Sequence, residues 1–559
     1  MSKGLQAISW IRTEDIDPDE LLDYYVPSPV DETILNSIMG STPILLVGSR
    51  GTGKTMLLKV AERRLLDQYR SNKVLPLEVS FSSSPFVEPR LFRPWMLAKI
   101  LFQLQRRLSK MGLISSSTGL FRRYTGIDID DDNLGSKISS FISLLENSWK
   151  SGNGFTVEDE EIKIILGSNI QYIDALNETD YFKALIEDIC EEFNIQRINV
   201  FFDEAAHNFI PKQQREFFSL FRDLRFAKLC GIAAVYPGLT TYGATFQAFH
   251  DAIVMRVERN IDSVDYINTM EEIIKARVED KTWEMLKNNG ESLHALMLAA
   301  SGNPRYLLKS LTLASESLTR FRTSNVNEVI RDFYRADIWN EHSRLSKTYV
   351  GHRPLIDWGR SFIESTVLPD TKQKNDGRDD KGEKERTIYF VIHRDAPAAI
   401  MAAIRILEYS GIVRLHSEGV KMTRSELGDR YALNLGILLS QESNPVPKAT
   451  EVRRGLTNKR FTEFGFNHPT FKDLEVIWSM DADIDMKSAI ESILTRPIEE
   501  LDITDFLYQK LKNELGVNNV GEVLKLTEED LRKVSMIGEK RSRKIMSIAV
   551  NAALEYISG

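Results

Sequence analysis

The stretch that decides the fold is Ile44 to Leu58, ILLVGSRGTGKTMLL: an apolar run, a glycine-rich turn, then a Lys-Thr pair that opens a helical pattern. Gly48, Gly53, Lys54 and Thr55 stand at the spacing G-x-x-x-x-G-K-[ST], and Ile44 to Val47 supply the buried strand that this pattern needs in front of it. Glycine at 48, 51 and 53 leaves the backbone bare enough to wrap an anion with inward-pointing N–H groups, and the following helix adds the positive end of its dipole. In such a loop Lys54 reaches the β- and γ-phosphates, and the Thr55 hydroxyl ligates Mg²⁺. Ser49, Arg50, Gly51, Thr52 and Met56 complete the residues expected against a nucleotide. ATP and Mg²⁺ are therefore the expected cofactors.

A second motif runs from Ile198 to Phe209, INVFFDEAAHNF, where an apolar run broken only by Asn199 delivers Asp203 and Glu204 at its end. A buried strand ending in an acid pair suits a Walker B element: Asp203 would hold the Mg²⁺ shell, and Glu204 would polarise the attacking water. His207, just beyond, reads as a hydrogen-bonded residue of the turn. Between the two motifs, VLPLEVSF at 74–81 predicts a strand, and the apolar faces of WMLAKILFQLQRRL and KISSFISLLENSW predict a helical insertion over 82–180. The acidic IDIDDDNL inside it lacks the glycine and terminal glutamate of a calcium loop and reads as a solvated turn. Farther on, CGIAAVYPG is a buried strand, and HDAIVMRVERNI at 250–261 alternates like another. In LMLAASGNPRYLLKSL an apolar helix breaks at Gly302-Asn303, and a new one starts at Pro304, a residue suited to a first helical turn.

Together, the phosphate loop, the Asp203-Glu204 strand and the Gly302-Asn303-Pro304-Arg305 turn resemble the AAA+ ATPases of the origin-recognition and initiator clade and the related signal-transducing ATPases. The resemblance implies an α/β P-loop NTPase core with a helical lid, Mg²⁺-dependent ATP hydrolysis and a homo-oligomer. It makes Arg305 the sensor 2 residue, reaching the γ-phosphate from the lid, so Lys54, Glu204 and Arg305 form the expected catalytic set. The segment before the first strand wraps the adenine in such ATPases. Here it holds Tyr24, Tyr25 and Val26, which suit base contact or an aromatic staple on the sheet edge equally. No asparagine stands at sensor 1, where Tyr236, Thr240 and Thr241 are the polar candidates. Arg256 or Arg259 could serve a neighbouring subunit as an arginine finger, or both could be ordinary arginines of a solvated edge strand.

The polar, charged run 370–386, DTKQKNDGRDDKGEKER, reads as a flexible linker or loop. After it, an apolar helix at Ala398 to Tyr409, a stop at Ser410-Gly411, the strand IVRLHS, a Glu418-Gly419 turn and RYALNLG predict a helix followed by a β-hairpin wing. That shape is similar to the winged helix that the initiator family places after its lid. There the helix enters the major groove and the wing touches phosphate, with Arg405, Arg414, Lys421 and Arg424 as basic contacts. Protein docking stays open, because this helix is short of base-reading side chains. The tail from Pro497, with PIEELDI, LGVNNVGEVLKLTEEDL and VSMIGEKRSRKI, resembles the C-terminal helix-hairpin-helix domain of the bacterial RNA polymerase alpha subunit. In its hairpin Gly538 would permit close backbone approach, and Lys540, Arg541, Arg543 and Lys544 suit DNA phosphate. The expected division is 1–262 for the ATPase core, 263–345 for the lid, 346–450 for the winged-helix-like part, 451–496 for a connection and 497–559 for the tail.

At 559 residues the chain exceeds one core, and its net charge of −8 supplies no global basic field, so nucleic acid would have to meet local patches. Cys190 and Cys230, with no C-x-x-C or histidine cluster beside them, exclude a disulfide framework and a zinc site and read as core thiols. No leader-like or membrane-length apolar run occurs, so a cytoplasmic protein without a membrane partner is expected. The whole predicts an ATP-hydrolysing switch that engages double-stranded DNA or a DNA-bound partner and acts on an effector protein. ATPases of this build with unusual accessory domains occur in bacterial anti-phage and mobile-element systems. The competing reading is an ATP-binding scaffold with little turnover, whose C-terminal domains dock proteins.

Overall fold

The computed structural model describes residues 13–80, 87, 91–114, 134–147, 178–203, 211–240, 242, 245–315, 320–348, 352–472, 494–501, 503–538, 541–542, 545–546 and 548–549. Five strands, β1 (Ile44–Val47), β2 (Val74–Ser80), β3 (Arg197–Asp203), β4 (Leu229–Val235) and β5 (Ile253–Arg256), form a wholly parallel sheet in the order β2-β3-β4-β1-β5. The near-continuous apolar runs of β1, β3 and β4 follow from burial on both faces, which parallel sheets require. Alternation sorts their side chains. Leu45, Val47, Val200 and Phe202 join one core, with the helices Phe92–Lys110 and Thr179–Glu192, while Ile44, Leu46 and Phe201 join another, with the helices Pro29–Ile38 and Lys54–Asp67. This is an α/β P-loop fold, with its phosphate loop at the carboxyl edge of the sheet. The helix Leu134–Asn147 packs on Phe92–Lys110 through Phe141 and Leu145, so the described part of the insertion is helical. The acidic run at 127–132 lies outside the described residues. Cys190 and Cys230 are buried thiols, and desolvation pushes the pKa of each up to about 11.

Lid helices follow at Tyr266–Lys275, Asp280–Lys287, Gly290–Ala299, Pro304–Ala314 and Thr323–Asp332. A second sheet comprises β6 (Tyr389–His393), β7 (Val413–Lys421), β8 (Leu427–Leu433) and β9 (Thr462–Phe464) in the order β7-β8-β6-β9; β8 is antiparallel to β6 and β7, and β9 is parallel to β6. Lid and second sheet share one apolar core, in which Leu296, Tyr334, Leu355, Ile404, Tyr431 and Ile437 are all buried.

Three expectations are corrected here. The first part of the run 370–386 is not a linker or loop: Leu368–Asp379 is a helix, continuous with Arg353–Phe362 through a π-helical turn at Ile363–Val367, and only 380–385 form a loop. Its buried face carries Thr371 and Asn375, and the Asn375 amide exchanges two 2.9 Å hydrogen bonds with the backbone of Thr387. The helix Ala398–Tyr409 is internal. Ile400, Ala402, Ala403, Ile404, Ile406, Leu407, Glu408 and Tyr409 are buried, and a Cβ placed on Gly238, just after β4, would come within 2.6 Å of the Arg405 carbonyl oxygen, so no groove of DNA can receive this helix. Finally, the wing turns at Thr423–Ser425, whereas Glu418-Gly419 falls in a register shift inside β7. Arg405 and Lys421 are exposed. Arg414 is half-buried and donates to the Arg259 carbonyl at 3.3 Å, and the Arg424 side chain is not described.

The tail has its own apolar core of Leu507, Leu511, Val520, Leu524, Leu531 and Ile545. Its helices Asp505–Leu515, Val520–Lys525 and Glu528–Arg532 are each capped by a side chain, from Thr504, Asn519 and Thr527. A Cβ at Gly538 would meet no protein atom, and the left-handed residue of the hairpin is Met536, with φ 67°. Arg541 donates to the Met536 carbonyl at 2.6 Å, while Lys540, Arg543 and Lys544 lie outside the described residues. Among the described residues no helix is long and apolar enough to cross a membrane.

The shared core makes a stability prediction. A Cβ at Gly436 would stand 2.3 Å from the Tyr334 ring and 2.6 Å from the Ala299 carbonyl oxygen. Gly436→Ala should therefore cost about 1–3 kcal/mol by overpacking, read as a lowered midpoint in urea denaturation. An unchanged midpoint would mean that the helix Leu435–Leu439 does not seat against the lid.

Candidate nucleotide-binding site

The phosphate loop turns through two glycines in the left-handed region, Gly51 at φ 90° and Gly53 at φ 102°, where a side chain would be strained. Lys54 then opens the helix Lys54–Asp67. Its Nζ donates to the Gly48 carbonyl at 2.7 Å and the Ser49 carbonyl at 3.0 Å, and it lies 3.9 Å from the centre of the Tyr236 ring. One residue on, Thr55 Oγ1 is 3.3 Å from Asp203 Oδ1, which the last residue of β3 brings to the loop. A hydroxyl and a carboxylate converging on one point are the hard oxygen donors that Mg²⁺ takes alongside phosphate and water, so the residues present fit that ion. Glu204 and His207 lie outside the described residues.

In front of the loop lies a cavity of about 370 Å³, the size of a ligand pocket. Arg50, Gly51, Gly53, Lys54, Thr55 and Met56 line it from the loop, Tyr24, Tyr25 and Val26 from the N-terminal segment, and Arg305 and Leu308 from the lid. Thus the structure brings the expected base-contact segment and Arg305 to the same cavity as Lys54. Gly48, Ser49 and Thr52 do not line it; Thr52 Oγ1 turns back to the Ser49 carbonyl at 3.0 Å.

The lid turn is bolted to the loop by one amide. Asn303 Oδ1 accepts from the N–H groups of Arg305 and Tyr306 at 3.0 and 3.3 Å, capping the helix Pro304–Ala314, while its Nδ2 donates to the Arg50 carbonyl at 2.9 Å. Tyr266 Oη accepts from the Gly302 N–H at 2.9 Å and donates to the Met297 carbonyl at 2.6 Å.

Arg256 and Arg259 are both engaged within their own chain. The half-buried Arg259 guanidinium donates through Nη1 to the Thr52 carbonyl at 2.9 Å and through Nη2 to the buried carboxylate of Asp31 at 2.8 Å. Arg256 Nη1 donates to Glu408 Oε1 at 2.9 Å, joining β5 to the helix Ala398–Tyr409. Burial raises the Glu408 pKa, with the Arg256 charge opposing. Both arginines thus hold their own chain together. At the sensor 1 position Tyr236 lies beside Lys54, Thr240 Oγ1 donates to the Tyr236 carbonyl at 2.7 Å, and Thr241 is outside the described residues.

One cavity residue went unnoticed in the sequence. Arg277 is buried in the cavity wall, with Nη1 donating to the carbonyls of Tyr24 at 3.2 Å and Ile273 at 3.0 Å. It forms no ion pair with any described carboxylate, and desolvation lowers its pKa to about 10. A lone arginine after an amphipathic helix carries no spacing signal, and its contact Tyr24 stands 253 residues away.

Residues 8–82 match the family model described as ORC-CDC6-like. Among solved structures the chain is similar to the Aeropyrum pernix ORC2 protein in ADPNP-ADP complexes, at 11% identity over 77% of this chain and 94% of that one, with a TM-score of 0.33. It is also similar to the Aeropyrum pernix ORC1 protein in complex with DNA, at 13% identity over 79% and 97% with a TM-score of 0.27. Drosophila ORC bound to DNA is similar at 13% identity over 80% and 92%, with a TM-score of 0.28. Likeness at these scores assigns neither a ligand nor a partner to this chain. No curated protein matches it.

Arg259→Met should destabilise the protein by about 3–5 kcal/mol, because it strands the buried Asp31 carboxylate. The double variant with Asp31→Asn should recover much of the loss in a denaturation cycle. Strictly additive losses would show that the two side chains do not act as a pair.

Proposed function

We propose that this chain, an AAA+ protein of initiator-like type, is a Mg²⁺-dependent ATP-binding and ATP-hydrolysing switch that engages double-stranded DNA or a DNA-bound partner. The observation that carries this reading is the convergence of Lys54, the Thr55–Asp203 pair and Arg305 of the lid on one side of a single loop. In this reading Lys54 leaves the Gly48 and Ser49 carbonyls for the β- and γ-phosphate oxygens, exchanging neutral acceptors for charged ones. Thr55 and Asp203 hold Mg²⁺, which when bound neutralises charge growing on the transferring phosphoryl group. Glu204 orients and deprotonates the water that attacks the γ-phosphorus, and ADP leaves with the bridging oxygen. Arg305 meets the γ-phosphate from the lid, so lid position follows nucleotide state.

The DNA-engaging part is supported by the ORC-CDC6-like match and by exposed cations at Arg405 and Lys421, with the tail residues Lys540, Arg541, Arg543 and Lys544 as a second candidate surface. Since the helix Ala398–Tyr409 is internal, contact falls to phosphate and not to base edges. A homo-oligomer would have to supply its arginine finger from a residue other than Arg256 or Arg259. That requirement, and an aromatic ring beside Lys54 where a polar sensor is expected, favour a second reading: an ATP-binding scaffold of low turnover that docks an effector or other protein partner.

Lys54→Ala should abolish ATP binding, whereas Glu204→Gln should keep Mg²⁺-ATP bound and slow phosphate release by about a hundredfold or more, the usual contribution of a positioned base. Wild-type protein that binds ATP but releases no phosphate would leave only the scaffold. Removal of residues 497–559 should spare ATP binding, weaken duplex binding equally for all sequences and flatten its salt dependence. Identical salt slopes for the full-length and truncated chains would remove the tail from the DNA-binding surface.

A further inference from the structure

Arg277 is held in an unusual state for a buried guanidinium. Among the described residues only Nη1 finds hydrogen-bond partners, the Tyr24 and Ile273 carbonyls; Nη2 has none there, and Nε is buried without one. A cation taken out of water is normally paired with a carboxylate or fully hydrogen-bonded, and two neutral carbonyls do neither. The Tyr24 ring, 5.9 Å from the guanidinium carbon, adds only a weak attraction. This cation also stands in the wall of the nucleotide cavity.

The rest of that wall decides what would satisfy it. The phosphate loop side already presents Arg50, Lys54 and Arg305 to the cavity, whereas Arg277 touches Tyr24 and Ile273, and Tyr25, Val26 and Ile16 add flat or apolar surface to the same cavity, with Asp15 the one carboxylate among the described lining residues. A surface of that kind suits a planar heterocycle, and a guanidinium at its edge can only donate. We propose that Arg277 recognises the nucleobase, donating from Nη2 to an acceptor atom on the base edge while the Nη1 bonds to Tyr24 and Ile273 hold the guanidinium plane in place. This rests on the nucleotide reading above and adds the base as the second point of recognition. The unfavourable burial of the cation is then the cost of a preformed donor, which binding offsets.

Calorimetric titration of full-length protein with ATP, ADP and inorganic tripolyphosphate separates base from phosphate recognition. Arg277→Met should weaken ATP and ADP alike by about tenfold or more, the worth of a charged hydrogen bond, and leave tripolyphosphate within about twofold. The melting temperature of the empty variant should not fall, since an unpaired buried charge is removed. Arg277→Lys keeps the charge and a donor for the two carbonyls, which guards against misfolding, yet it lacks the planar fork and should also lose ATP preference over tripolyphosphate. Unchanged ATP affinity, or equal weakening of ATP and tripolyphosphate, would overturn the proposal. Lys54→Ala should lose both ligands in the same assay. If it does while Arg277→Met loses neither, the nucleotide site stands and the base assignment falls; if the wild type binds neither ligand, both fall.

Discussion

The guanidinium of Arg259 is the fastener on which the phosphate loop depends. One of its nitrogens holds the Thr52 carbonyl and another the Asp31 carboxylate, while its own carbonyl accepts from Arg414 of β7. Three segments far apart in the chain, the helix Pro29–Ile38, the loop and the second sheet, thereby meet at one residue. The pair is nearly dry, with side-chain exposures of 11% for Arg259 and 3% for Asp31, so its attraction is weakly screened and its geometry well defined. A loop whose backbone must point several N–H groups at one anion needs such bracing, because each residue left unfixed would cost entropy on binding.

On the lid side the bracing is of a different kind. Asn303 uses both ends of one amide, the oxygen to start a helix and the nitrogen to hold the Arg50 carbonyl. Behind it, Tyr306 Oη donates to the Ser410 carbonyl at 2.6 Å, and the Arg50 N–H donates to the Tyr409 carbonyl at 3.2 Å. The end of the helix Ala398–Tyr409 is thus a ledge against which both the lid helix and the phosphate loop rest. That role accounts for an apolar composition that a groove-reading helix would not have.

How legible all this was depended on how local the chemistry is. The phosphate loop, the strand carrying Asp203 and the turn before Arg305 each keep their signal within a few residues, because a backbone cradle, a strand end and a helix start are local objects. The buried face of Leu368–Asp379 was hidden because Thr371 and Asn375 are polar, and the partner that satisfies Asn375 is known only once Thr387 lies beside it. Arg256 and Arg259 could be read as free cations because their carboxylates stand 152 and 228 residues away. Arg277 is the extreme case, since beyond the Ile273 carbonyl of its own helix its partner is Tyr24, 253 residues away. Residues outside the described set, Glu204 foremost, keep the standing that sequence alone lends them.

The single core shared by lid and second sheet has a mechanical meaning. Apolar interiors packed at crystal density resist shear, so these two parts should turn as one block. Toward the first sheet the same block is held by polar links, Arg256 to Glu408, Arg414 to Arg259, Asn303 to Arg50 and Tyr389 Oη to Asp262 at 3.3 Å, and by apolar contacts such as the Tyr236 ring 5.4 Å from that of Tyr409. Water can replace the polar links one by one, which it cannot do for a buried aromatic cluster. Leu239 and Ile261 carry the same apolar core up to the edge of the phosphate-loop unit, so the packing that joins helices and second sheet runs without a break across residue 345 and ends beside the nucleotide cavity.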